Sequence, residues 1–283
     1  MAFNTQTFLT RAASATVFVA VLLCCVWLHW LSLVLFFNVV ALAGHYEFYK
    51  LAGKKREVKG KWWGYFLHVL FFFLLFGLSE PGWALKKWIL IISGLATVLF
   101  LMAELFGSAK YVFRAPPVLM ALLYISVPAF ILVAMASLVH KNNSYLLDFM
   151  PERILGMIFF IWINDTGAYL VGSFIGKNKM FERISPGKTW EGTLGGVLFC
   201  IGLSFLIAHL FTDFTLVHWI AISIIVAVFG TIGDLVESML KRLAGVKDSG
   251  QIMPGHGGVL DRFDSLIFSA PFVFAYLVLT GNL

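Results

Sequence analysis

Three aspartates near the C-terminal end have the spacing of a metal site that serves phosphate chemistry. Asp234 follows a long uncharged run, where an ionisable side chain is costly and marks a candidate functional position. Asp261 and Asp264 are three residues apart, so on a helix they project from one face. Neighbouring carboxylates repel each other unless a cation lies between them, and Mg²⁺ prefers carboxylate, water and phosphate oxygens. The trio therefore predicts a metal site, with capping of a helix N-terminus as the alternative for Asp264.

Ser238 and Lys241 continue the same helical pattern. Asp234, Ser238 and Lys241 are spaced i, i+4 and i+7, which puts them on one helix face. Glu237 and Lys241 are four residues apart, and we interpret them as an ion pair where the helix meets the membrane surface. Ser238 and Lys241 are therefore candidates for the site that Asp234 marks.

A glycine-rich segment, PGHGG at 254–258, lies among the nine charged residues between Asp234 and Asp264. Glycines let a backbone approach a phosphate closely, and a helix N-terminus adds a favourable dipole. A flexible turn is the alternative explanation. The cations around it have the chemistry to bind phosphate oxygens: Lys241, Arg242, Lys247 and Arg262.

The basic segment ISPGKTWEG at 184–192 is a second candidate for phosphate contact. Its GKT triplet resembles the end of a P-loop, but Glu182 stands where that motif requires glycine, and no strand is predicted before it. A P-loop is therefore excluded. Phosphate contact through Ser185, Lys188 and Thr189 remains a hypothesis.

Asn164 and Asp165 place polar groups inside another apolar run, in the segment NDTGAY. An ionisable residue within a membrane span is a candidate for function. Asp165 either couples protons in a transporter or lines a polar cavity shared with the three aspartates. The spacing does not choose between them.

The elements that position these residues are membrane helices. The chain of 283 residues is 60% hydrophobic and only 13% charged, whereas soluble domains carry about 25% charged residues. Its apolar residues form runs long enough to cross a bilayer as helices. Nine spans are predicted: 12–28, 31–49, 62–79, 83–106, 117–139, 154–176, 191–211, 216–240 and 265–281. The expected fold is an all-α polytopic integral membrane protein with about nine transmembrane helices.

The cations predict the orientation of this bundle. A cytoplasmic N-terminus puts 17 of the 21 Lys and Arg residues on the cytoplasmic side, as the positive-inside rule requires. The four on the other side are Lys86, Lys87, Lys141 and Arg153. The segment 233–265 then faces the cytoplasm. The net charge of +6 belongs to loops at the membrane surface, and nucleic-acid binding is not indicated.

The two halves of the chain differ in character. Residues 1–150 are successive spans that hold few charges within the predicted bilayer apart from Glu104, and the basic loop 50–63 is expected to lie on anionic headgroups. Residues 151–283 carry all the polar segments described above. We expect a single membrane domain, with N-terminal helices at 1–150 and the cytoplasm-facing site at 151–283.

Carboxylates, cations and glycines at a membrane surface favour phosphoryl or nucleotidyl transfer between a soluble nucleotide and a lipid. Positioning and neutralisation of charge supply most of the catalysis in such reactions. A separate general base is not required when the nucleophile is an anionic phosphate. These residues do not select one nucleobase over another.

The segment from Ser238 to Asp264 resembles the hallmark of the CDP-diacylglycerol synthase family, also called phosphatidate cytidylyltransferases. The hallmark reads Ser-x-apolar-Lys-Arg, four residues, Lys-Asp, a short spacer, then His-Gly-Gly-apolar-x-Asp-Arg-apolar-Asp. Its positions here are Ser238, Lys241, Arg242, Lys247, Asp248, His256, Gly257, Gly258, Asp261, Arg262 and Asp264. Met253 departs from the Leu, Ile or Phe usual in the family. NDTGAYLVGSFIGK, ISPGKTWEG and GDLVES also match family blocks, so the resemblance covers about residues 160–265.

The resemblance implies an Mg²⁺-dependent enzyme that converts CTP and phosphatidic acid to CDP-diacylglycerol and pyrophosphate. It implies that Asp234, Asp261 and Asp264 hold the metal, and that Ser238, Gly257 and Gly258 shape the pocket. The implied phosphate ligands are Lys241, Arg242, Lys247 and Arg262. We also assign Asp248, His256, Asn164 and Asp165 to the expected substrate site; the sequence does not determine whether Asp165 reaches it. The family further implies a homodimer in the plasma (inner) membrane of a bacterium. Whether a monovalent cation such as K⁺ joins Mg²⁺ is not determined by the sequence.

Three other functions are weighed against this one. A CTP-dependent kinase of a polyprenol would transfer the γ-phosphoryl group and release CDP. An ion-coupled transporter would use Asp165 and Asp234 and would show no turnover in detergent; the Lys, Arg and Gly residues beside the carboxylates argue against it. A CDP-alcohol phosphotransferase is disfavoured because its Asp-x-x-Asp-Gly-x-x-Ala-Arg pattern is absent.

Overall fold

The computed structural model describes residues 5–55, 57–77, 83–107, 112–137, 149–250 and 257–283. Helices account for nearly all of them, and their bounds follow. The first are α1 (Thr5–Leu28), α2 (Trp30–Gly53), α3 (Lys61–Gly77), α4 (Trp83–Phe106) and α5 (Pro117–Ala121). A π-helical turn (Leu122–Ser126) joins α5 to α6 (Val127–Ser137), and α7 (Glu152–Ile175), α8 (Trp190–Leu210), α9 (Leu216–Ala244) and α10 (Leu260–Leu279) follow. Each predicted span coincides with one helix, if α5, the π-helical turn and α6 are taken together.

Several helices extend beyond the predicted spans, and at α9 and α10 these extensions carry residues of the candidate site. α9 continues to Ala244, four residues beyond the predicted span, and α10 begins at Leu260, five residues before it. Both extensions carry charged residues, which an apolar pattern leaves out. The charged residues Lys241, Arg242, Asp261, Arg262 and Asp264 therefore lie on helices and not in loops.

A short β-hairpin departs from the all-helical expectation. Strands β1 (Lys179–Phe181) and β2 (Ser185–Thr189) pair antiparallel between α7 and α8, with Lys179 opposite Thr189. Strands of three and five residues are too short to show an alternating apolar pattern, and Pro186 and Gly187 are unfavourable to strands. For these reasons the sequence did not predict them.

Length and composition identify a multi-pass membrane protein. Seven helical segments in the described part of the chain are long and apolar enough to cross a bilayer, and the apolar stretch Ser14–Leu28 of α1 is shorter. Large apolar side chains point outward from several helices; Phe174 is 84% exposed and Trp62 is 75% exposed. Exposed apolar surface of this kind fits contact with lipid.

Contacts between helix ends show how the helices alternate in direction. At one end, Arg153 Nε lies 2.6 Å from Asp213 Oδ2, and the Lys87 ammonium donates to the Leu283 carbonyl at 2.8 Å. At the opposite end, the Arg183 guanidinium on the hairpin donates to the Gly107 carbonyl after α4 at 3.4 Å. This second end, which we call the site end, gathers the hairpin and the connection from α9 to α10.

Glycines let neighbouring helices approach closely around the site. α7 packs on α8, where a Cβ atom at Gly196 would collide with the Asn164 side chain and one at Gly192 would lie 2.7 Å from the Ala168 carbonyl. Small residues drive such packing in membranes because backbones come into direct contact. The polar residues of α7 are thereby held against α8 and the hairpin.

Candidate active site

Close packing of α9 on α10 brings the acidic residues of both helices together. A Cβ atom at Gly233 would lie 2.6 Å from Phe268 Cβ and 2.9 Å from the Asp264 carbonyl oxygen. One helical turn earlier, the Ser265 hydroxyl donates to the Gly230 carbonyl at 3.0 Å. The glycine face of α9 thus sets the distance between its own carboxylates and those of α10.

The resulting acidic cluster consists of Asp234, Glu237 and Asp264. One carboxylate oxygen from each lies within 4.8 Å of the others. Glu237 is fully buried and Asp264 is 7% exposed. Three carboxylates at this spacing repel each other strongly, so the arrangement favours a bound cation.

Asp261 lies beside this cluster and bonds to other groups. Its Oδ1 is 2.6 Å from the Lys241 ammonium, and its Oδ2 accepts hydrogen bonds from the Ser249 amide at 3.0 Å and the Gly258 amide at 2.7 Å. The structure therefore groups Glu237, rather than Asp261, with Asp234 and Asp264. The physical reason is that Asp261 caps the segment leading into α10, as aspartate commonly does at a helix N-terminus.

Lys241 joins the acidic cluster to Asp261. Its ammonium also pairs with Glu237 Oε2, the contact predicted from their i, i+4 spacing. The pair is buried within the protein, because the Lys241 side chain is only 12% exposed and Glu237 is not exposed at all. Glu237 interacts with Lys241 and faces the acidic cluster at the same time.

The chemistry of the cluster fits a hard divalent cation. Carboxylate oxygens are the ligands that Mg²⁺ takes, together with water and substrate phosphate. Glu237 Oε1 is buried and has no hydrogen-bond donor among the described residues. A carboxylate oxygen left without a donor is costly, and a metal ion would satisfy it.

A cavity of about 300 Å³ opens beside the cluster between α7, the hairpin, α8 and α9. We call it the hairpin cavity. It collects five of the residues that the sequence singled out: Asn164, Asp165, Ser185, Lys188 and Thr189. The Lys188 ammonium lies 2.5 Å from Asp234 Oδ2, so this cavity adjoins the acidic cluster directly.

Two residues of the hairpin cavity also have structural roles. The Thr189 hydroxyl accepts a hydrogen bond from the Gly192 amide at 3.1 Å and so caps the N-terminus of α8. The Asn164 amide donates to the Thr231 hydroxyl at 3.2 Å, while its Oδ1 is buried without a partner among the described residues. Lys188 and Ser185 remain the clearest groups for phosphate contact.

A second cavity, of about 290 Å³, lies between α1, α7 and α10. We call it the α1 cavity. Its walls are apolar on α1 and α7, at residues such as Phe18 and Trp162, and charged at Asp261, Arg262 and Asp264 on α10. Asp165 lines both cavities, so it borders the cluster from the α7 side.

Lys247 and Asp248 lie elsewhere. With Lys50 and Lys54 of α2 they line a third cavity of about 350 Å³, which also includes Ser249. Both residues are exposed in the described structure. Of the residues predicted to contact substrate, these two are separated from the hairpin and α1 cavities.

The other predicted residues lie on α9 or in the connection between α9 and α10. Ser238 is half-buried on α9. The Arg242 guanidinium donates to the Ile184 carbonyl of the hairpin turn at 3.4 Å, which joins the two loops of the site end. Gly257 has φ of 82° and packs on Asp261 Oδ2, a conformation that favours glycine. His256 lies outside the described residues.

Sequence reasoning missed three residues that structure the site. Glu237 was interpreted only as a partner of Lys241, although its i, i+3 spacing from Asp234 places both on one face of α9. Glu47 and Ser249 were not identified. The signal for Glu47 was an ionisable residue inside the apolar segment HYEFY, by the criterion that was applied to Asp165.

We expect Gly233→Ala to destabilise the protein and to separate α9 from α10. The new Cβ would meet Phe268 and the backbone of Asp264, so one helix must move, which costs about 1–3 kcal/mol for added groups in a packed core. The measurement is the Tm in detergent with and without Mg²⁺; both the Tm and the Mg²⁺-dependent increase should fall. Gly202→Ala on α8 is the matched control because nothing lies within 4 Å of the new methyl group. Equal behaviour of the two variants would contradict the prediction.

The chain is similar to known proteins of one family. Residues 9–280 match the cytidylyltransferase family. A phosphatidate cytidylyltransferase of Staphylococcus aureus is 50% identical over 127 residues, which cover 44% of this chain and 48% of that protein. Similar relatives are the proteins of the same name from Staphylococcus saprophyticus, 48% identical over 127 residues (44% and 48%), and Staphylococcus epidermidis, 47% identical over 129 residues (45% and 49%). The chain thus spans about half the length of the curated relatives it matches. Since the family match extends over nearly the whole sequence, the chain belongs to the cytidylyltransferase family.

Proposed function

We propose that this protein is a phosphatidate cytidylyltransferase, which transfers the cytidylyl group of CTP to phosphatidic acid and releases pyrophosphate. The observation that carries the proposal is the acidic cluster between two unlike cavities. The hairpin cavity is lined mainly by small and polar residues and contains Lys188, whereas the α1 cavity combines large apolar residues of α1 and α7 with Arg262 and the aspartates of α10. A nucleotide and a lipid need surroundings that differ in this way. The names of the staphylococcal relatives support the same activity.

In this proposal the hairpin cavity binds CTP. Lys188 contacts the triphosphate, and Ser185 offers a hydroxyl to it. Binding of a phosphate to Lys188 competes with Asp234, whose Oδ2 lies 2.5 Å from the ammonium. Asp234 then becomes available to the cation.

The α1 cavity binds phosphatidic acid. Arg262 on its charged wall pairs with the phosphate, since guanidinium matches phosphate geometry. The acyl chains lie along Phe18 and Trp162, on the side where α1 and α7 present apolar residues. Asp165 borders both substrates and keeps the passage between them polar.

Asp234, Glu237 and Asp264 are the residues that would hold Mg²⁺, with Asp261 and Lys241 supporting them from the side. The ion would neutralise the negative charge that develops on the triphosphate. Ser238 lies on the same face of α9 as Asp234 and Lys241, and we assign it to the wall of this pocket.

The reaction requires little proton transfer. An anionic oxygen of phosphatidate forms a bond to the α-phosphorus of CTP, and the bond from that phosphorus to the α–β bridging oxygen breaks. The bridging electron pair leaves with pyrophosphate. Lys188 and Arg262 hold the two anionic reactants next to each other, which overcomes their repulsion and orients the attack.

The distribution of cations supports a cytoplasmic N-terminus and a cytoplasmic site end. Lys50, Lys54, Lys188 and Arg242 all belong to that end, and the positive-inside rule assigns such an end to the cytoplasm. We place the nine spans in the plasma (inner) membrane of a bacterium and expect a homodimer, as the family resemblance implies.

The test follows two phosphate labels in one reaction. Purified protein in mixed micelles with phosphatidic acid and Mg²⁺ receives CTP labelled at the α-phosphate or at the γ-phosphate. We expect the α-label in the lipid and the γ-label in pyrophosphate. The γ-label in a lipid acceptor would instead identify a kinase. Failure of both labels to transfer, with added K⁺ and with varied lipids, would contradict the proposal and favour a transporter.

A further inference from the structure

Glu47 is a buried carboxylate that the reaction described above does not use. It lies on α2 within an apolar span and has no exposed surface. A buried carboxylate in a membrane helix is costly unless hydrogen-bond donors surround it. The energetic cost of burying this carboxylate indicates that Glu47 has a specific role in the protein.

Among the described residues, the hydrogen-bond donors to Glu47 come from the connection between α9 and α10 and from the start of α10. Its carboxylate accepts hydrogen bonds from the Val259 amide at 2.9 Å, the Leu260 amide at 2.8 Å and the Ser249 hydroxyl at 3.0 Å. Val259 is the N-cap of α10 and Leu260 is its first residue, and N–H groups at a helix N-terminus have no partners within the helix. Glu47 therefore caps α10 from a helix more than 200 residues away in sequence.

The surrounding backbone is shaped to this carboxylate. A Cβ atom at Gly250 would lie 2.7 Å from Glu47 Cδ, and one at Gly258 would lie 2.5 Å from Glu47 Oε2. Any residue larger than glycine would push the carboxylate away from its donors. The connection thus folds around Glu47 with no spare space on either side.

A continuous set of contacts leads from Glu47 to the acidic cluster. The Ser249 hydroxyl that contacts Glu47 also lies 2.9 Å from Asp261 Oδ2, and Asp261 pairs with Lys241. Lys241 in turn pairs with Glu237, a member of the cluster. The order is therefore Glu47, Ser249, Asp261, Lys241 and Glu237.

We propose that Glu47 is a positioning residue for the cation site: through the α10 N-terminus and Ser249 it fixes the Asp261–Lys241 pair, which orients Glu237. It contacts neither substrate nor the acidic cluster. This inference rests on the proposed function only for its activity measurement. The N-terminal half of the chain then contributes a determinant of the site and not only membrane anchorage.

The first test is hydrogen exchange of the metal-free protein, because it needs no catalysis. In Glu47→Gln the side chain keeps its size but loses one of two acceptor oxygens and gains donors that face other donors. We expect the amides of Val259 and Leu260 to exchange at least about tenfold faster, whereas amides of α8 stay unchanged. Ser249→Ala should leave these two amides protected because their bonds to Glu47 remain.

The second test is the Mg²⁺ dependence of cytidylyl transfer. Removal of a residue that orients metal ligands typically lowers metal affinity or activity about 10- to 100-fold. We expect Glu47→Gln and Ser249→Ala both to raise the Mg²⁺ concentration for half-maximal rate by about tenfold or more. Asp213→Asn is the control, since it breaks a buried ion pair with Arg153 at the opposite end. It should lower the Tm and leave the Mg²⁺ requirement unaltered.

A merely structural role for Glu47 predicts a different pattern. In that case the Mg²⁺ requirement of each variant would follow its loss of Tm, and Asp213→Asn would shift it as much as Glu47→Gln. That result, or unchanged exchange at Val259 and Leu260, would overturn the proposal. If Glu47→Gln does not fold, Ser249→Ala still tests the link because it removes one hydroxyl. Absence of transfer by the wild type would refute the proposed function, while the exchange measurement would still decide the role of Glu47.

Discussion

Asp264→Asn is expected to lower the rate of cytidylyl transfer about 10³-fold, which corresponds to roughly 4 kcal/mol of lost transition-state stabilisation. Asp264 is 7% exposed and lies beside Asp234 and Glu237, and its carboxylate is one of three that would hold the cation. Asparagine keeps the shape of the side chain and removes the charge. The α-label assay measures the rate, and Mg²⁺ titration of the Tm measures binding.

In Asp264→Asn the stability of the metal-free protein should not fall, although the activity does. Without metal, the three carboxylates repel each other, so removal of one charge relieves repulsion and should maintain or raise the Tm of the metal-free protein. The increase in Tm that Mg²⁺ gives the wild type through preferential binding to the folded state should disappear. Glu182→Gln, the neutralisation of an exposed acid on the hairpin turn, is the control and should alter neither quantity. A variant that keeps its Mg²⁺-dependent increase would exclude Asp264 as a ligand.

Lys241→Met is expected to destabilise the protein by about 3–5 kcal/mol, the usual cost of removing one partner of a buried ion pair. Lys241 pairs with both Glu237 and Asp261, and the three side chains are between 0% and 12% exposed. Methionine fills similar space but leaves two buried carboxylates without their cation. The measurement is the free energy of unfolding in mixed micelles.

A compensating variant separates this explanation from a simple packing defect. Adding Glu237→Gln and Asp261→Asn to Lys241→Met removes the uncompensated charges and should restore most of the lost stability, since neutral replacements of buried ion pairs are often tolerated. Activity should stay low because Glu237 belongs to the acidic cluster. A triple variant as unstable as Lys241→Met alone would show that the lysine acts through packing and not through charge.

The Asp264→Asn and Lys241→Met variants test different parts of the same site. Asp234 pairs with Lys188 of the hairpin cavity. Asp261 and Asp264 both line the α1 cavity, but Asp261 also accepts hydrogen bonds from the α9–α10 connection. The spacing in the sequence does not distinguish Asp261 from Asp264, because both lie on the first turns of α10. Their surroundings give them different tasks.

The sequence by itself determined the class of the protein and the positions of its helices. Membrane spans depend on local composition, since about 20 apolar residues suffice to cross the hydrocarbon core whatever their neighbours are. For the same reason the polar segments near Asp165, Lys188 and Asp234 were evident as exceptions within apolar surroundings. The hairpin was not evident, because its strands lack a periodic pattern and depend on pairing with each other.

Only the tertiary structure decided which carboxylates share a site and what holds them there. Glu237 rather than Asp261 joins Asp234 and Asp264 because Gly230 and Gly233 let α9 approach α10 at one rotation of the two helices. Helical spacing predicts which side chains share a face, but the facing partner depends on rotation and distance between helices, which local sequence does not specify. Glu47 shows this most clearly, since its donors lie more than 200 residues along the chain and meet it only when α2 packs beside the start of α10.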